Sequence, residues 1–164
     1  MTPASRTIEL SRLDFVIAPD LDDKPLLLDL KRYWDRKRGP REMPTRADID
    51  PLDLSMHLGW LYLIDVFPDL SDFRYRLLGS HITEAYGRDS TGKTVREVYG
   101  EENPEYCEAV LALYRMIACD AVVALGRGSL TVVAKAFREY DALYLPLDRG
   151  DGKVGMILAE MLFR

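Results

Sequence analysis

The first strong period along the chain is helical. Leu26, Leu27, Leu30, Tyr33 and Trp34 recur at the spacing that places them on one stripe of a helix. That helix begins near Asp22 or Asp23, carries Pro25 in its first turn and stops at Gly39-Pro40. Residues 1–22 show no comparable period and read as a flexible arm before a single domain over 23–164. Asp50-Pro51 announces a second, short helix: a capping acid, then proline at the first helical position, with Asp53 favouring the positive helix end. Gly59 closes it.

From Trp60 the pattern changes to strand. Residues 60–67 (WLYLIDVF) are rich in β-formers and apolar on both alternating faces, as in a strand covered on both sides. Residues 68–72 form a turn, and Phe73–Leu78 returns as the partner strand, ending at Gly79. Residues 80–99 read as short helical pieces broken at Gly87 and Gly92. Asn103-Pro104-Glu105 opens the longest helix, with Tyr106, Val110, Leu113, Tyr114 and Ile117 on one face. The remainder is mostly strand: 121–134, interrupted by Gly126-Arg127-Gly128, then 137–147 and 153–163 around the turn DRGDG at 148–152. Runs of helices and strands in this order predict an α+β fold with an antiparallel sheet, because a parallel sheet needs the two to alternate.

A length of 164 residues allows one core, and 48% hydrophobic with 30% charged residues is the composition of an ordinary globular domain. The net charge of −5 argues against nucleic acid as a partner, which a basic face would have to meet. The basic run over 31–41 is interrupted by Trp34, Asp35 and Gly39 and reads as a solvated helix face. Cys107 and Cys119 lie on one predicted helix, about 18 Å apart along it, too far for a disulfide. No signal-peptide core and no bilayer-length apolar run are present, so the expected setting is the cytoplasm, without membrane insertion.

Residues 87–94 (GRDSTGKT) match the phosphate-loop pattern G-x-x-x-x-G-K-T, with Asp65 at a strand end as a partner for magnesium. This supports an alternative reading as a small nucleotide-binding enzyme. Context opposes it: the loop should follow a buried strand and open a long helix. Here 81–86 (HITEAY) is helix-like, and 95–99 spans little more than one turn before Gly100. Among other candidates, His57 reads as a surface or packing residue and His81 as a pocket-lining one. No G-x-S-x-G or H-E-x-x-H occurs. Glu139 and Asp141 share a strand face, so one of them is placed to meet Arg76 or Arg127. Arg74 and Arg76 lie opposite Phe73, Tyr75 and Leu77; a helical layer over that face would make Arg76 a buried cation.

Taken together, Tyr33-Trp34, the segment PTRADIDP at 44–51, LYLID at 61–65 and FRYRLLG at 73–79 resemble a PAS-like domain family of alphaproteobacterial proteins. The resemblance continues through the glycine–acid–glycine segment at 87–92 and from Glu139 to Leu145-Pro146-Leu147, and covers about 24–163. It implies a five-stranded antiparallel sheet with helices on one face and extra N-terminal helices. It also implies a sensing or protein-interaction role without catalysis, and makes 87–94 part of a pocket wall, where other members carry arginine in place of Lys93. The helix over 104–118 lacks the histidine of haem-binding PAS domains, and Asn-Cys-Arg-Phe, the flavin photosensor motif, does not occur, so the resemblance points away from haem and flavin and the cofactor is left unknown. On this reading Arg76, His81, Tyr86, Arg127 and Tyr140 point toward a cavity between the sheet and the helices over 80–118. The partner is a small molecule or a signalling protein, and the N-terminal helices make a homodimer. A purely structural module with an exposed apolar patch on the 26–34 helix is the remaining alternative.

Overall fold

The computed structural model describes residues 6–10, 13–129 and 139–164. The strand β6 (Glu139–Asp148) shows how the sheet is made. Its sequence EYDALYLPLD sends Tyr140, Ala142 and Tyr144 to one face and Asp141, Leu143 and Leu145 to the other, and all six are buried. Both faces of this strand are therefore covered, and the layers on the two sides differ.

The order across the sheet is β1 (Arg6–Leu10), β2 (Leu13–Ile17), β5 (Ala124–Ser129), β6, β7 (Val154–Phe163), β3 (Leu61–Val66), β4 (Phe73–Leu78). Every neighbouring pair is antiparallel. The α+β class and the antiparallel sheet stand as expected. The five strands expected from the resemblance are β3 to β7; β1 and β2 extend the sheet to seven. The flexible arm read over 1–22 is thus replaced by strand over 6–10 and 13–17. Leu13, Phe15 and Ile17 alternate with Asp14 and Val16, and that period was too short to stand out against its polar flanks. The ends of two expected strands, 130–134 and 137–138, lie outside the described residues.

One face, here the inner face, carries α2 (Ser80–Tyr86), α3 (Val95–Tyr99) and α4 (Pro104–Asp120). Asn103 caps α4 by accepting from the Tyr106 amide at 3.2 Å, and Thr94 caps α3 by accepting from the Glu97 amide at 3.2 Å. The opposite, outer face meets the N-terminal layer: α1 (Pro25–Arg38) and the short 3-10 turns Arg46–Asp48, Pro51–Leu54 and Leu58–Trp60. Leu27, Leu30, Tyr33 and Trp34 of α1 are buried, and the Trp34 indole donates to the Pro146 carbonyl at 2.9 Å. The apolar patch that the alternative reading left exposed on the 26–34 helix is therefore spent within the domain. No helix among the described residues is long and apolar enough to cross a membrane.

Candidate functional site

The phosphate-loop letters form a sheet edge. A phosphate loop turns its backbone amides toward the ligand; here they are engaged elsewhere. Gly92 N donates to Tyr75 O at 2.7 Å and Lys93 N to Ser90 O at 3.0 Å, while Tyr75 N donates back to Lys93 O at 2.9 Å. Thr91 N donates to Asp89 Oδ1 at 2.9 Å. The segment thus pairs with β4, Gly87 takes up the left-handed conformation that ends α2, and the helix after Thr94 has five residues. Asp65, the proposed magnesium partner, binds Arg76 at 2.9 Å instead. The Lys93 side chain is exposed.

The inner face of the sheet holds a different constellation. Eight of the nine tyrosines line one cavity. Tyr62 comes from β3, Tyr75 from β4, Tyr86 from α2 and Tyr99 from α3. Tyr106 and Tyr114 descend from α4, and Tyr140 and Tyr144 rise from β6. Small residues beside them in the sheet make the room. Tyr144 is flanked in register by Ala124 and Ala159, and Tyr140 by Gly128. Glycine within a strand marks a close approach, and the Tyr140 ring lies where a Gly128 side chain would stand.

Rings pack edge-on: Tyr99 against Tyr106 with centroids 5.1 Å apart, and Tyr62 against Tyr144 at 6.1 Å. Hydroxyls pair where they meet, Tyr106 with Tyr140 at 2.6 Å and Tyr75 with Tyr114 at 3.3 Å. The Tyr62 hydroxyl is buried with no hydrogen-bond partner among the described residues. Burial, more than any neighbour, holds the phenols of Tyr62, Tyr75, Tyr86, Tyr106, Tyr114 and Tyr140 well above their ordinary range. The phenols of the lining are therefore neutral, and their hydroxyls both donate and accept. Arg88 brings charge to this lining and is held by the Val98 carbonyl at 3.3 Å and by Glu102 at 3.7 Å. The enclosed space is about 30 Å³, enough for a water molecule and well short of the several hundred Å³ of a drug-sized site.

Of the five residues expected at the cavity, Tyr86 and Tyr140 line it. Arg76 does not: period-two alternation turns it to the face opposite Tyr75, where it is 61% exposed and paired with Asp65. Arg127 is likewise turned away, lying between Gly126 and Gly128 and binding the buried Asp141 at 3.1 Å. His81 stacks on Trp60, ring centroids 4.2 Å apart, on the exposed side of α2. Sequence reading missed Tyr62, Tyr75, Tyr99, Tyr106, Tyr114 and Tyr144 as a set. The available signal was the excess of tyrosine over phenylalanine, nine to five. Among the described residues no group of histidine, cysteine and acidic side chains is arranged to hold a metal.

Comparison with known proteins agrees with this architecture. The PAS domain family model matches residues 23–162. No curated protein matches the sequence. Among solved structures, one described as the structure of an RNA-binding Light-Oxygen-Voltage receptor is similar over 73% of this chain, with a TM-score of 0.47 and 16% identity. This chain spans 35% of that receptor. The similar protein is described as RNA-binding, which is said of that protein alone, and the exclusion of nucleic acid drawn above from net charge is not kept. A likeness of that degree assigns no partner to this chain. With the sheet, the helical layer and a family match over most of its length, the chain belongs to the PAS domain family.

Proposed function

We propose that this PAS domain is a cytoplasmic sensory module that takes a small uncharged molecule into the tyrosine cavity and passes the resulting change to another protein, without catalysing a reaction. The observation that carries the reading is the Tyr62 hydroxyl, buried and without a partner among the described residues, beside a cavity rimmed by other hydroxyls. A buried polar group is normally satisfied. A ligand bearing a hydroxyl or carbonyl would complete it, and its body would lie against phenol rings. Entry of anything larger than water requires α2 and α3 to move outward. They are seven and five residues long, the shortest helices on this face.

The volume of about 30 Å³ favours a second reading. In it the cavity stays closed around water, and the domain acts through its surface alone. Native mass spectrometry of freshly purified protein, followed by thermal shift with phenol, benzyl alcohol and small neutral amides, separates the two. A retained or stabilising small molecule whose effect is lost in Tyr62→Phe supports the sensory reading. Bare protein with no shift from any compound supports the second.

A further inference from the structure

On the outer face of the sheet, three residues from three separate elements meet in one hydrogen-bonded row. Glu160 of β7 is fully buried, and its Oε2 lies 2.6 Å from His57 Nδ1. His57 Nε2 lies 2.8 Å from Oδ2 of Asp29 on α1. The imidazole is 2% exposed and the Asp29 side chain 66%, so the row runs from the core to solvent. Both ring nitrogens face a carboxylate oxygen, an arrangement that suits a doubly protonated ring. Among the described residues the other oxygen of Glu160 is buried without a partner, and His57 is the cation that offsets this carboxylate. The charged groups that face the ring are Asp29 from α1 and Glu160 from β7. The strand neighbours of Glu160 in register, Leu61 of β3 and Leu143 of β6, carry no charge.

His57 belongs to the segment 51–60, whose Leu52 and Met56 are exposed while Leu54 is buried. The same segment touches α2. A β-carbon at Gly79, the residue before α2, would come within 2.4 Å of the Gly59 carbonyl oxygen, and Trp60 stacks on His81. From α2, Ile82, Thr83 and Tyr86 reach the tyrosine cavity. The row and the cavity are thus two ends of one path.

We propose that Asp29, His57 and Glu160 form a proton-held clamp: with the proton in place the segment 51–60 is fixed to the sheet, and its loss releases that segment and loosens α2. Burial opposes charge on His57, but the hydrogen bonds to Glu160 and then Asp29 outweigh it and raise the imidazole above its ordinary value; burial raises Glu160 as well. Both shifts have one sign. The closed form holds the proton harder than the open one. The clamp's contribution is therefore complete below pH 6.5, the ordinary histidine value, and is lost as pH rises through the higher folded value.

The chain has only two histidines, so imidazole NMR resonances report His57 directly, and hydrogen exchange reads 51–60 and α2. The His57 midpoint is expected above pH 6.5. Opening of 51–60, corrected for intrinsic exchange, rises about tenfold per pH unit from the ordinary histidine value to that midpoint and then levels. The α2 amides follow it, and those of β6 do not. Asp29→Asn, at the exposed end, lowers the midpoint and shortens the pH-dependent range; Glu160→Gln flattens it. A midpoint at or below 6.5, or flat exchange of 51–60 across the His57 titration, overturns the clamp. Flat α2 exchange while 51–60 opens overturns the link to the cavity. Should Glu160→Gln fail to fold, an unchanged midpoint in Asp29→Asn overturns the clamp by itself.

Discussion

Gly128 and Tyr140 face each other across paired strands so closely that a β-carbon on the glycine would lie 2.4 Å from the phenolic oxygen. The contact fixes both the ring and its hydroxyl, which Tyr106 reaches at 2.6 Å. Gly128→Ala must push the ring aside or bend β5, and overpacking of this kind costs about 1–3 kcal/mol. Gly126→Ala meets the edge of the Tyr144 ring at 3.1 Å and is expected to cost less. Urea denaturation of the two variants checks the order; equal stability would show that the rings do not need the glycines.

The two kinds of tyrosine hydroxyl in the cavity should respond oppositely to removal. Tyr106→Phe strands the buried Tyr140 hydroxyl and is expected to cost about 1–3 kcal/mol. Tyr62→Phe removes a hydroxyl that has no partner among the described residues, so stability changes by less than about 1 kcal/mol or rises. If Tyr62→Phe is the more damaging of the two by denaturation, the hydroxyl is held by a bound molecule that survives purification.

Much of the fold was legible in the chain because its signals are local. Asp50-Pro51 and Asn103-Pro104 start their helices as expected, with both caps formed, and β3 and β4 fall where alternation put them. The site was less legible because its members are brought together by pairing across the sheet. Gly126-Arg127-Gly128 reads as a break in a strand until Tyr140 and Tyr144 are seen lying over it. Nothing near His57 in sequence points to Glu160, which is 103 residues away. Arg76 and Arg127 failed as site residues for the converse reason: which face of a strand is covered by which layer is a property of the whole sheet.

The segment 87–94 offers a test of letters against geometry. Lys93 is exposed and, among the described residues, its side chain has no hydrogen bond or ion pair that holds the loop, so Lys93→Ala should leave stability within about 0.5 kcal/mol of the parent. Thr94→Ala removes the hydroxyl that caps α3 and is expected to cost about 1 kcal/mol. Calorimetry with ATP and magnesium should give no heat for the parent protein. Binding abolished by Lys93→Ala would restore the phosphate-loop reading.

The buried phenols also set an alkaline limit on the domain. Burial raises every tyrosine in the cavity, so the folded form holds these protons harder than the unfolded chain, where they leave near pH 10.0. The sign follows: their contribution to stability is complete below that value and declines as pH rises above it. Because none of the rings ionises freely in place, tyrosinate absorbance and loss of far-ultraviolet circular dichroism are expected to appear together, in one cooperative step. Tyrosinate rising gradually while the dichroism holds would show that the cavity admits water and hydroxide without unfolding, and that its wall is already mobile in the resting domain.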